Sequence, residues 1–60
     1  MTTTADLSDL ARKTGMLLIR VYTGSGEYDV VRTFDQKITM RFSGVDCEVL
    51  EDYSHFRKDK

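Results

Sequence analysis

A single cysteine, Cys47, in a chain of 60 residues removes the usual means by which so short a polypeptide secures its fold. A chain of this size buries only about 60% of the surface that its unfolded form exposes, so its own core is marginal. Small scaffolds commonly compensate with disulfides, a structural metal or association. One cysteine forms no intrachain bridge, and with His55 as the single histidine no ligand set for structural zinc can be assembled. Association remains, so a homo-oligomer, with a dimer favoured, and a protein partner are expected.

The chain nevertheless reads as folded, because 40% of its residues are hydrophobic and proline is absent, unlike disordered or low-complexity sequences. Met1-Thr2-Thr3-Thr4-Ala5-Asp6 has neither the basic start nor the apolar run of a signal peptide. No stretch reaches the ~20 apolar residues of a membrane span. A complete chain in the cytoplasm, without membrane attachment, is the expectation. Nine Lys and Arg against ten Asp and Glu leave a net charge of −1. That supplies no overall attraction to nucleic acid or anionic lipid, so such binding would need a local patch.

From Thr3 to Thr14 the apolar residues Leu7, Leu10 and Ala11 recur at helical steps, with Asp6 and Asp9 early and Arg12 and Lys13 late, as the helix dipole favours. Thr3 with Asp6 has the spacing of a capping box, and Gly15 stands where a left-handed C-terminal cap is wanted. A helix this short is marginal alone in water, so its apolar stripe must lie on the remainder of the chain.

That remainder reads as strands. Met16 to Thr23 and Glu27 to Phe34 are rich in β-branched and aliphatic residues and flank Gly24-Ser25-Gly26. A type II′ turn at Gly24-Ser25 pairs Val21 with Tyr28, Ile19 with Val30, Arg20 with Asp29 and Leu18 with Val31. Lys37-Ile38-Thr39-Met40-Arg41-Phe42 then alternates strictly, and Val45-Asp46-Cys47-Glu48-Val49 mirrors it across Ser43-Gly44. This predicts a second hairpin that pairs Phe42 with Val45, Met40 with Cys47 and Ile38 with Val49. Arg32 breaks the parity near Asp35-Gln36, where a bulge or loop is expected.

The expected architecture is α+β: an N-terminal helix packed on a small antiparallel β-meander of about four strands, all in one domain. The helix spans 3–14, the sheet 16–52 and a polar, basic tail 53–60. The helix should cover Ile19, Val21, Tyr28, Val30, Phe34, Ile38, Met40, Phe42, Val45, Cys47 and Val49. The opposite face carries charges but also Met16, Leu18, Tyr22, Val31 and Leu50. Contiguous exposed apolar surface of that kind marks a candidate interaction face.

Catalytic and cofactor chemistry finds little support. Cys47 and His55 lack a third orienting group, and Cys47 falls in an inward register, as an inert buried thiol does. Asp46, Glu48, Glu51 and Asp52 lack the glycine and ligand spacing of a calcium loop. Gly24-Ser25-Gly26 leads into a strand rather than into the helix N-terminus that would hold a phosphate. No catalytic residue, metal or cofactor is expected, and the chain is read as a non-enzyme.

The tail offers Tyr53, His55, Phe56, Arg57, Lys58 and Lys60 as candidate nucleic-acid contacts, aromatics for stacking among cations for phosphates. Phe34-Asp35-Gln36 after the second strand and Tyr53-Ser54-His55 near the last resemble motifs of the Sm-like RNA-binding ring proteins. The resemblance covers about six residues and departs from that family in strand length and motif spacing. It implies a bent antiparallel sheet, RNA contacts at those two motifs and ring assembly through edge strands. Two functions follow as expectations. The first is a small protein-binding regulator or inhibitor that acts by covering a site on another protein, in the manner of phage or mobile-element accessory proteins. The alternative is a compact RNA- or DNA-binding module that uses the tail and the sheet.

Overall fold

The structure, a computed structural model, describes residues 3–55. Along the chain it comprises helix α1 (Thr4–Thr14), strands β1 (Leu17–Thr23) and β2 (Gly26–Arg32), helix α2 (Phe34–Phe42) and strand β3 (Cys47–Asp52). The class is α+β, and the sheet has three antiparallel strands in the order β2-β1-β3.

The N-terminal helix follows its local signals. Thr3 accepts from the Asp6 amide, and Asp6 answers with a carboxylate to the Thr3 amide. At the other end Gly15 adopts φ 70°, and the Ala11 carbonyl accepts both the Gly15 amide and, at 2.9 Å, the Met16 amide, so the left-handed residue turns the chain out of the helix. The hairpin between β1 and β2 has the expected register, with Val21 opposite Tyr28, Arg20 opposite Asp29 and Leu18 opposite Val31. Its turn is not type II′, because the left-handed glycine is Gly26 (φ 139°) rather than Gly24. The Thr23 hydroxyl, which accepts from the Ser25 amide and donates to the Gly26 carbonyl, closes this turn instead.

The second hairpin does not form. Residues Phe34–Phe42 are a helix, and β3 pairs with the free edge of β1, placing Val49 opposite Ile19 and Cys47 opposite Val21. The pairings of Phe42 with Val45, Met40 with Cys47 and Ile38 with Val49 are therefore replaced, and the sheet has three strands rather than four. The cause is local at both ends of α2. Thr33 and Gln36 form a reciprocal capping box that starts the helix. Gly44 (φ 86°) ends it, with its amide on the Arg41 carbonyl and the Val45 amide on the Met40 carbonyl, both at 3.0 Å. This is a Schellman motif, and its usual apolar contact is supplied by Met40 and Val45, which both pack on the core.

Because β2 and β3 each run antiparallel to β1, they are parallel to one another, and α2 carries the chain across the central strand. Leu17, Ile19 and Val21 form the core on that side, with Val30, Met40, Val45, Cys47 and Val49 against them. The other face lies under α1: the Thr4 hydroxyl donates to Asp29 at 2.8 Å and the Ser8 hydroxyl to Glu51. Ala11 and Leu18 are buried there. The N-terminal helix thus covers the face opposite to the one expected. Leu17, Leu18 and Ile19 are all buried because β1 is covered on both sides there, which is why the strand opens with three apolar residues in succession before Arg20.

Register shifts once on β3, where Leu18 faces Glu51 but Ile19 faces Val49, so Leu50 is an extra residue. This bulge turns Glu51 to the α1 side rather than into the core. There its carboxylate receives the hydroxyls of Ser8 and Tyr53. No helix among the described residues is long and apolar enough to cross a membrane.

Candidate protein-docking face

The surface that stands out is the outer side of α2. At about 100° per residue, Phe34, Ile38 and Phe42 fall on one stripe, and Met40, the residue by which the helix rests on the core, lies about 160° from its middle. The larger apolar face of α2 therefore points away from the protein. Exposure is 46% for Phe34, 47% for Ile38 and 94% for Phe42, in a helix with no fully buried residue.

Cations border this stripe on one flank. Lys37 Nζ sits 4.9 Å from the centroid of the Phe34 ring, within the range of a cation–π contact. Arg41 follows one turn later, and Lys37, Ile38, Arg41 and Phe42 line an open depression of about 550 Å³. The opposite flank holds Asp35 and Thr39, whose hydroxyl is turned back to the Asp35 carbonyl at 3.1 Å. Sequence reasoning assigned Phe34, Ile38 and Phe42 to the core. The Thr33–Gln36 capping pair ahead of them is the signal that marks a helix here, since their four-residue spacing by itself fits a strand as well.

The interaction face expected from sequence is not an open patch. Leu18 is 1% exposed beneath α1, and Met16, Val31 and Leu50 are half-buried. Tyr22 is exposed but donates to Glu48 at 2.7 Å. That hydrogen bond, with some burial and the nearby negative charge, holds the phenol above its ordinary pKa, since a phenolate there would face a carboxylate. Of the tail, Tyr53 is anchored through its amide to the Met16 carbonyl at 3.0 Å, and His55 is exposed. Phe56, Arg57, Lys58 and Lys60 lie outside the described residues. Phe34-Asp35-Gln36 opens a helix rather than following a strand turn, so an Sm-like sheet is not formed at that motif.

The ionisable groups with shifted pKa values belong to the scaffold. Asp29 is held below the usual carboxylate range by hydrogen bonds from Arg20 and then Thr4, and Glu51 by those from Ser8 and then Tyr53. Asp52 is lowered chiefly by the Ser54 hydroxyl and amide. Cys47 is a half-buried free thiol within the core cluster. Among the described residues no group of three His, Cys, Asp or Glu side chains is placed to hold a metal ion.

Comparison with known proteins returns no significant match to a family description, to a curated protein sequence or to a solved structure.

Proposed function

We propose that this chain is a small protein-binding regulator or inhibitor, non-enzymatic, that acts by laying the outer face of α2 on another protein and occluding the surface beneath it. The observation that carries the reading is the Phe34–Ile38–Phe42 stripe facing away from the core, with Phe42 94% exposed. Burying one such aromatic side chain is worth about 2 kcal/mol, and aromatic residues are enriched where proteins meet. A row at four-residue spacing is also the pattern by which a helix engages a groove. The small core, with five buried hydrophobic residues among those described, supports the same reading, because an association would add apolar burial that the chain lacks alone.

Photo-crosslinking in cells tests this directly. A benzophenone amino acid in place of Phe42 should give a discrete protein adduct that is lost when Ile38 is also changed to Asp, whereas the same probe at exposed Glu27, in the hairpin, should give none. Adducts with RNA alone, or equal labelling from both positions, would sink the proposal.

A further inference from the structure

The flanks of the stripe say what kind of protein segment fits it. We infer that the occupant of the α2 face is an acidic amphipathic segment of another protein, apolar side chains along Phe34, Ile38 and Phe42 and carboxylates along Lys37 and Arg41; this rests on the protein-binding reading above. The cations stand on one side only, about one helical turn apart. Neither makes an ion pair within 4 Å among the described residues. Lys37 lies over Phe34 and influences Asp52 only as the weakest of several effects, so its charge remains available to a ligand. Asp35 on the other flank would repel a segment with acid on both edges, which orients the partner.

A second copy of the chain fits less well. Two α2 helices packed antiparallel about Ile38 oppose flank to like flank, so each Lys37 meets Lys37 of the other copy with an axial offset of about 3 Å, and Arg41 adds to the same edge. Nucleic acid would use the cations but would leave the apolar Ile38 beside them uncovered, next to Asp35, on a chain of net charge −1.

Fluorescence anisotropy on the full chain separates these occupants. The probes are an amphipathic peptide of about 18 residues with leucines on one face and Glu along the adjoining edge, its twin with Lys for every Glu, and an oligo-dT strand. The acidic peptide should bind at least about tenfold more tightly than the basic twin at low salt, and the preference should shrink in about 0.5 M NaCl. Lys37→Glu with Arg41→Glu should reverse the preference, while Phe42→Asp should weaken both peptides. Should the double reversal fail to fold by circular dichroism, Lys37→Gln with Arg41→Gln should abolish the preference. Equal affinity for the two peptides, with Phe42→Asp weakening both, would overturn the acidic partner and leave protein docking standing. Binding of oligo-dT alone, unaffected by Phe42→Asp, would overturn both readings. A concentration-dependent dimer in sedimentation that is lost on Phe42→Asp would make the second copy the occupant.

Discussion

Arg20 grips Asp29 with both arms of its guanidinium, Nε to one carboxylate oxygen at 2.8 Å and an Nη to the other at 3.2 Å, across the hairpin of β1 and β2. The Thr4 hydroxyl joins the second oxygen, so one carboxylate ties α1 to both strands. Asp29 is the better shielded partner, its side chain 10% exposed against 32% for Arg20.

The pH dependence follows from that carboxylate. Asp29, Glu51 and Asp52 are all more acidic folded than unfolded, so their contribution is present above the ordinary carboxylate range. It is lost as pH falls through the depressed folded values. Stability should therefore decline below about pH 4. Asp29→Ala should cost about 1–2 kcal/mol at neutral pH and flatten the acid limb. Urea unfolding at several pH values measures both; an unchanged acid limb would show that Asp29 does not govern it.

Burial separates two apolar residues that composition treats alike. Leu18, 1% exposed, is packed beneath α1, whereas Phe42 is almost wholly exposed. Leu18→Ala should cost about 2–4 kcal/mol, a large share of the roughly 3–9 kcal/mol expected for 60 residues. Phe42→Ala should change stability by less than about 0.5 kcal/mol while weakening partner binding. Thermal unfolding of the two variants compares them, and a matching loss at Phe42 would mean that its ring is buried in solution.

The capping box is the test of α2 itself. Thr33→Ala removes the acceptor for the Gln36 amide and should cost about 1 kcal/mol, with faster hydrogen exchange confined to the first turn of α2. A strand at these positions would show alternating protection with cross-strand contacts between Met40 and Cys47, and nuclear Overhauser data would reveal it.

Gly44 offers a strain measurement free of packing. Among the described residues, and apart from Gly44 and its two chain neighbours, no heavy atom lies within 4 Å of where its Cβ would stand, yet φ is 86°. Gly44→Ala should therefore destabilise through backbone conformation alone, by about 1 kcal/mol, and Gly44→Asn by less. Loss of several kcal/mol in chemical denaturation would point to a clash rather than to strain.

Two elements were legible without coordinates, because everything that specifies them lies within a few residues. α1 is bounded by Thr3, Asp6 and Gly15, and the first hairpin takes its register from a two-residue turn between strands that begin beside it. The α2 segment was ambiguous for a physical reason: Phe34, Ile38 and Phe42 are separated by four, a spacing that satisfies both the two-residue period of a strand and the turn of a helix. The candidate face fell with that ambiguity, since the same three side chains are core in a strand and surface in the helix.

The sequence by itself determined where α1 begins and ends, how β1 meets β2 and that the class is α+β, since each rests on contacts between near neighbours. Only the tertiary structure decided which segment takes the second edge of β1, which helix covers which face and which apolar residues are left outside. Leu17, Leu18 and Ile19 in succession require cover on both sides of one strand. That requirement is met by α1 on one face and by Met40 and Val45 on the other. With Met40 turned inward to meet it, helical geometry places Phe34, Ile38 and Phe42 on the outside.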